Sequence, residues 1–194
     1  MFIVFEGVDK VGKSTAIENV AEKLRGCGRS VIVIHESNDP MMQYLKQSKV
    51  DIHTIAYLVN RMREEHQHLI KRILDAGHTL LMDRYYDSTY VYANPAIADN
   101  KYNEVRLFDH IAPDLTLYLY ADSDLIVQRI AGETDRFTSD SKERVEKYLA
   151  LFNQLYDGLT TRDVYDYDVT HKSIPEVAEE CFRDIANVMR NSGL

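Results

Sequence analysis

Short, continuous apolar runs alternate along this chain with longer stretches that carry an apolar residue every three or four positions. The runs at residues 2–5, 31–35, 79–83 and 115–120, with a weaker one at 163–169, read as five strands. The first helix is predicted over residues 13–25, stopping at Gly26 or Gly28, glycines suited to a left-handed cap. Residues 51–76 place Ile55, Val59, Met62, Leu69 and Ile73 on one face and close at Gly77. Residues 140–159 repeat the pattern with Val145, Tyr148, Leu149, Phe152, Leu155 and Tyr156, and Asp140 with Glu143 has the spacing of an N-terminal cap. The last helix opens on a capping box, Ser173 with Glu176, and buries Ile174, Val177, Cys181, Ile185 and Val188. Strands without polar alternation, set between amphipathic helices, imply an α/β fold. Its parallel sheet is covered on both faces, and ligands bind at the carboxyl ends of the strands.

The first strand runs directly into Gly7, Val8, Asp9, Lys10, Val11, Gly12, Lys13 and Ser14, a complete G-x-x-x-x-G-K-S phosphate loop followed by Thr15 and the first helix. In such a loop backbone N–H groups wrap the β-phosphate, Lys13 reaches the β and γ oxygens, and the Ser14 hydroxyl holds magnesium. The expected architecture is therefore a P-loop NTPase three-layer sandwich, a five-stranded parallel sheet with helices on both faces. The strand at 79–83 ends in Asp83 and Arg84, and a carboxylate there suits the organisation of Mg2+. The polar stretch 132–141 has the composition of a short lid, or of a plain solvated loop.

Composition narrows the setting. The chain has 194 residues, 45% of them hydrophobic and 28% charged, enough for one domain spanning 1–194 with a core that needs no disulfides. A net charge of −8 disfavours broad nucleic-acid binding, so phosphates must be met by locally placed cations. Cys27 and Cys181 have no metal-ligand spacing and read as small core residues of a reduced, cytoplasmic protein. No basic leader precedes an apolar segment and no apolar run approaches the ~20 residues of a membrane span, so no membrane association is expected.

A switch GTPase would carry N-K-x-D, but Asn100-Lys101-Tyr102-Asn103 lacks the guanine-reading aspartate and no D-x-x-G follows a strand. The residues instead resemble the thymidylate kinases, over most of the chain from residue 2 to about 153. Phe5-Glu6-Gly7-Val8-Asp9 with Gly12-Lys13-Ser14-Thr15 is similar to that family's phosphate loop. Asp83-Arg84-Tyr85 with Ser88 resembles its D-R-Y-x-x-S motif, and Tyr92 falls on a family aromatic position. Tyr57 and Asn60-Arg61 fit the helix that carries a base-stacking aromatic and a base-binding arginine. Arg129 and Asp135-Arg136-Phe137 match the spacing from an adenine-side arginine to a lid arginine.

The resemblance implies magnesium-dependent transfer of the ATP γ-phosphoryl group to dTMP, giving dTDP and ADP for dTTP biosynthesis, by a homodimer. Lys13, with Lys10 beside it in the loop, would meet the donor phosphates, and Ser14 and Asp83 would organise the metal. Arg84 would bridge to the acceptor phosphate and Arg136 would close from the lid. Asp9 would contact the sugar 3′-hydroxyl, Tyr57 would stack on the base and Arg61 would bind a base carbonyl. Tyr92 would fill the space of a ribose 2′-hydroxyl, Ser88 would support the base end, and Arg129 would lie by the adenine. An acceptor phosphate with a second pKa near ~6 is already anionic at neutral pH, so the chemistry calls for cations rather than a general base.

The chain departs from the family pattern at three places. Lys10 stands where some members have an arginine, a point charge in place of a bidentate fork. Thr138 replaces a glutamate after the lid arginine, and His35-Glu36-Ser37-Asn38-Asp39-Pro40 replaces an arginine-or-phenylalanine, glutamate, proline run. Glu36 is kept, and Lys46 is a candidate replacement donor to the acceptor phosphate. The rival reading is a deoxynucleoside kinase with Glu36 as base for a 5′-hydroxyl, or a kinase for a modified pyrimidine deoxynucleotide, since one methyl group at the pyrimidine 5-position leaves no diagnostic motif. A binding switch with negligible turnover is a third. The apolar face around Ile55, Val59 and Met62 fits either a dimer interface or packing on the chain's own sheet.

Overall fold

The structure is a computed structural model that describes residues 1–93, 110–131, 141–157, 159 and 162–193. Its elements in chain order are β1 (Phe2–Glu6), α1 (Lys13–Gly26), β2 (Val31–His35), α2 (Pro40–Gln47), α3 (Ile52–Asp75), β3 (Thr79–Asp83) and α4 (Tyr86–Ala93). They continue with β4 (Leu115–Tyr120), α5 (Ser123–Ile130), α6 (Lys142–Tyr156), β5 (Asp163–Asp168) and α7 (Ile174–Asn191). The five strands pair in the order β2-β3-β1-β4-β5, each pair parallel. With all strands running one way, the segments that follow β1, β2 and β3 emerge side by side at one edge of the sheet.

Alternation along the central strands divides the core. Ile3 and Phe5 of β1 and Leu81 of β3 point to the side covered by α1 and α7, where they pack with Ile17, Val20, Cys181 and Ile185. Phe2 and Val4, with Leu80 and Met82, face α3 and meet its Ile70 and Ile73. Each such side chain, fully removed from water, stabilises the fold by about 1.5–3 kcal/mol. A smaller cluster of Leu45, Ile55 and Val59 joins α2 to α3. Asp51 caps α3 by accepting from the His53 and Thr54 N–H groups, and the capping box of α7 forms, with the Ser173 N–H donating to Glu176 Oε2 at 2.7 Å.

Three residues expected inside stand outside. Leu69 is half exposed while its neighbour Ile70 is buried. Ile55, Val59 and Ile73 of the expected stripe are buried, but in the middle of α3 the inward positions are one residue later than expected, Arg63 and, one heptad on, Ile70. The expected stripe had placed the apolar Met62 there and therefore Leu69 one heptad on. Ile174 is exposed because it opens α7, ahead of the first buried position Val177, and Met189 rather than Val188 closes the buried stripe. Cys27 is exposed at the C-terminal cap of α1, whereas Cys181 is buried as expected; both are free thiols. The lid at 132–141, apart from Ser141, and the capping residue Asp140 lie outside the described residues, and α6 begins at Lys142 behind Ser141. Among the described residues no helix is long and apolar enough to cross a membrane.

Candidate active site

The phosphate loop starts where β1 ends, and its backbone explains its glycines. Gly7 has φ 142°, and a Cβ there would lie 2.2 Å from the carbonyl oxygen of Leu119 at the end of β4, so no side chain fits. Gly12, at φ 114°, is the N-cap that turns the loop into α1. Lys10 takes a left-handed conformation at φ 61° between them. Lys13 begins α1 and is buried, its ammonium folded back over the loop to donate to the carbonyls of Gly7 at 3.0 Å and Val8 at 2.8 Å. Burial, and then the charge of Arg84, pull Lys13 down to about 8. A polyphosphate beside it would reverse both penalties, which is what a phosphate-binding lysine requires.

Strand register brings the next group in. Asp83 at the end of β3 is the partner of Phe5 in β1 and of His35 in β2, so its carboxyl faces the loop on one side and the His35 ring on the other. Its Oδ2 accepts from Ser14 Oγ at 2.7 Å and lies 3.2 Å from His35 Nδ1. Burial works against the charge on Asp83, but the His35 hydrogen bond, the charges of Lys13 and Arg84, and the Ser14 bond together hold it below the usual carboxylate range. His35 is pushed up to about 9, first by that bond to Asp83 and then, against burial, by Glu18 of α1 at 3.1 Å. Asp83 Oδ1 is buried with no hydrogen-bond partner among the described residues.

Arg84 sits at the centre. Its backbone is left-handed, φ 72°, a conformation that costs a non-glycine residue on the order of 1 kcal/mol and turns the chain from β3 into α4. Its Nη1 donates to the Gly7 carbonyl at 3.0 Å and to Ser88 Oγ at 2.9 Å, its Nη2 donates to Asp9 Oδ1 at 2.5 Å, and its guanidinium lies 5.0 Å from the Tyr92 ring centre. Burial opposes its charge, but Tyr92, Asp9, Asp83 and Glu6 outweigh it and keep Arg84 cationic. Tyr92 is pushed well above the usual phenol range by burial and stays neutral.

A cavity of about 630 Å³ runs from the loop away along the sheet edge, a size that suits a nucleotide. Its loop end is walled by Asp9, Lys10, Gly12, Lys13, Ser14 and Thr15, with Asp83 and Arg84 beside them. Its far end is formed by Ser37 after β2, Met42 and Lys46 of α2, Ile52, Ile55, Ala56 and Val59 of α3, and Ser88, Thr89 and Tyr92 of α4. Arg63 closes the far end. It is buried, binds Glu36 through two parallel bonds from Nε and Nη2, and donates from Nη1 to Asn60 Oδ1 at 3.2 Å and Thr89 Oγ1 at 2.5 Å.

The expected site residues separate on this geometry. Lys13, Ser14, Thr15, Asp9, Lys10, Gly12, Asp83, Arg84, Ser88, Tyr92, Glu36 and Lys46 all line the cavity. Gly7, Val8 and Val11 form the buried backing of the loop. Arg129 of α5 lies behind it, donating to the carbonyls of Lys10 at 3.3 Å and Val11 at 3.1 Å. Tyr57 and Arg61 do not reach the cavity: Tyr57 is 58% exposed, and Arg61 pairs with Glu64 and Glu65 on the outer face of α3. The residues two positions further along the helix from each, Val59 and Arg63, about 200° around it, do line the cavity. Arg63, a charged residue in the middle of the helix, is only 1% exposed. Thr89 was not singled out in the sequence, and Asn60 was read only as the neighbour of Arg61; counting back in heptads from Ile70 to Arg63 is the signal that finds this face. Glu36 is committed to Arg63 through both oxygens, which removes it as a base for a 5′-hydroxyl. Arg136, with Asp135, Phe137 and Thr138, lies outside the described residues.

Comparison with known proteins bears on what this cavity serves. The family model described as thymidylate kinase matches residues 5–180. A thymidylate kinase of Staphylococcus epidermidis is 30% identical over 206 aligned positions, covering 97% of this chain and 98% of that protein. One from Desulfotalea psychrophila is 34% identical, covering 79% of this chain and 80% of that protein. Among solved structures, the thymidylate kinase of Candida albicans superposes with a TM-score of 0.79 at 23% identity, covering 95% of this chain and 90% of that one, which supports the fold. With its phosphate loop, its partly buried Arg84 and a nucleotide-sized cavity between them and α3, this chain belongs to the thymidylate kinase family.

Proposed function

We propose that this enzyme, a nucleoside monophosphate kinase by family, carries out phosphoryl transfer from ATP to thymidylate across this cavity, with donor at the loop end and acceptor at the α3 end. The observation that carries the assignment of the two ends is the continuity of that cavity from Lys13 to Arg63 with Arg84 between them. Lys13 and the loop amides hold the donor phosphates, helped by the Lys10 charge and the positive end of α1. Arg84, tethered to Asp9 and the loop carbonyl, offsets the repulsion between acceptor and donor, and Arg136 adds positive charge from the lid. An anionic acceptor oxygen attacks the γ-phosphorus, the bond to the bridging oxygen breaks, and ADP leaves with the electron pair, so no side chain needs to take a proton.

Ser14 and Asp83 suit a magnesium ion, because the orphaned Asp83 Oδ1 and the Ser14 hydroxyl converge beside the loop. When bound, Mg2+ neutralises charge on the transferring phosphates. At the acceptor end Asp9 takes the sugar 3′-hydroxyl, and Tyr92 occupies the volume of a 2′-hydroxyl. The base lies against Val59 and Ala56 instead of an aromatic ring. Arg63 and Thr89 read its edge. Thr89 Oγ1 accepts from Arg63 and therefore has its own proton to donate to a base carbonyl, while Ser88 supports that end. Lys46 is placed to reach the acceptor phosphate from α2. Arg129, anchored to the loop, flanks the adenine side.

The kinase acts as a single domain over 1–194 in the cytoplasm, within dTTP biosynthesis. It pairs as a homodimer through the outer faces of α2 and α3, where Met41, Tyr44, Tyr57 and Leu69 are exposed. The test of function is ADP release with Mg·ATP and a panel of nucleosides and monophosphates. Thymidylate should support turnover and thymidine should not; turnover with thymidine alone would reject the proposal.

A further inference from the structure

Glu6 is the last residue of β1, lies 0% exposed behind the phosphate loop, and has no part in the chemistry above. Its two oxygens are both used. Oε1 accepts from the Tyr85 N–H at 2.8 Å and Oε2 accepts from Ser88 Oγ at 2.6 Å. These partners bracket Arg84. The Arg84 N–H still belongs to the sheet, donating to the Phe5 carbonyl at 3.0 Å. The left-handed turn then carries the Tyr85 N–H past the end of the β1–β3 ladder, and the Glu6 carboxylate supplies its acceptor. At the other end of the side chain, the Ser88 hydroxyl donates to Glu6 Oε2 and its Oγ accepts from Arg84 Nη1 at 2.9 Å. One carboxylate thus holds both the strained backbone of Arg84 and, through Ser88, one face of its guanidinium.

The site is an unfavourable place for this charge, which argues that its hydrogen bonds matter. Burial and the nearby Asp87 push Glu6 up to about 7, against the bonds from Ser88 and Tyr85 and the charge of Arg84. The surrounding groups are Lys13 of α1, Tyr118 beside it in β4, Asp87 of α4 and Tyr156 of α6. Asp87 is itself held by Arg162 and by the Tyr156 hydroxyl at 2.9 Å.

We propose that Glu6 is a positioning residue for Arg84, fixing the left-handed turn through the Tyr85 N–H and the guanidinium through Ser88, so that Arg84 meets the acceptor phosphate already oriented. The proposal rests on the reading of Arg84 as the acceptor-phosphate group. Glu6→Gln keeps the shape and the acceptor for Tyr85, but its amide now donates to Ser88 Oγ and breaks the relay.

The test is a double-mutant cycle of Glu6→Gln with Arg84→Lys, reading kcat, the KM for thymidylate and the Kd for Mg·ATP. Glu6→Gln should lower kcat by about 10- to 100-fold, as a misplaced catalytic group does, and leave the Kd for Mg·ATP within about twofold. In the Arg84→Lys background the same change should cost less than about threefold, since the group it orients is gone. Additive losses in the cycle, or a kcat for Glu6→Gln equal to the parent, overturn the role of Glu6. A normal kcat for Arg84→Lys alone overturns the role of Arg84 instead. If Glu6→Gln does not fold, Ser88→Ala replaces it in the cycle, cutting the relay while leaving the Tyr85 clamp, with the same two results deciding.

Discussion

Replacing Arg63 by methionine leaves the Glu36 carboxylate buried, 3% exposed, without the two bonds it now accepts. Breaking a buried, doubly bonded pair from one side costs about 3–5 kcal/mol, because the remaining charge has lost its partner and cannot reach water. For a chain of this length 1 kcal/mol moves the melting temperature by roughly 2–4 °C, so Arg63→Met should lower it by about 6–20 °C in a circular-dichroism melt at pH 7. The double variant Arg63→Met/Glu36→Met removes both charges and fills the volume with apolar atoms, and should recover more than half of that loss. Activity should not follow stability. The double variant still lacks the guanidinium and the oriented Thr89 hydroxyl at the base end of the cavity, so its kcat/KM for thymidylate should stay at least about tenfold down. A melting temperature within about 2 °C of the parent for Arg63→Met, or a double variant no more stable than the single, would contradict the buried-pair account. Recovery of full thymidylate activity in the double variant would contradict the placing of the base at this end.

Gly7→Ala puts a Cβ 2.2 Å from the Leu119 carbonyl oxygen and should weaken Mg·ATP binding by at least about 100-fold in titration calorimetry; near-parental affinity would show that the loop can shift at little cost. His35, raised to about 9 when folded and near ~6.5 unfolded, stabilises fully below pH 6.5, and that contribution is lost as pH rises through 9. It is partly solvated, so screening limits the effect to on the order of 1–2 kcal/mol. His35→Gln should therefore flatten urea stability of the nucleotide-free protein between about pH 6.5 and 9, and an unchanged slope would refute the His35–Asp83 contact. Tyr92→Ala should raise the relative use of ribonucleotide acceptors, because the ring lines the cavity beside Arg84 in the volume proposed for the sugar, and an unaltered preference would reject that role.

What the sequence discloses is what is contiguous. Residues 2–15 carry strand, loop and helix start in one run, so both the fold and the phosphate end were legible without coordinates. Asp83 and Arg84 were legible for the same reason, as a strand end in a chain already known to hold a phosphate loop. The α3 end of the cavity was not, because it depends on the phase of one long helix. One buried position of α3 is filled by an arginine, which apolar periodicity passes over, and the family spacing that singled out Tyr57 and Arg61 falls two residues short of the inward Val59 and Arg63. The partner that makes Arg63 tolerable, Glu36, is 27 residues away, and no local pattern announces that pairing. Likewise the contacts of His35 with Asp83 and of Glu6 with Tyr85 and Ser88 follow from which strands are neighbours, a property of the sheet order β2-β3-β1 rather than of any segment.

If one cavity brings the two nucleotides together, a phosphoryl group passes directly between them. Phosphorus-31 NMR of the protein with Mg·ATP and thymidylate tests it most directly. The ATP γ resonance should fall as the β resonance of thymidine diphosphate rises in equal amount, with no inorganic phosphate formed. Persistence of ATP beside untouched thymidylate, or release of inorganic phosphate in place of the diphosphate, would contradict it.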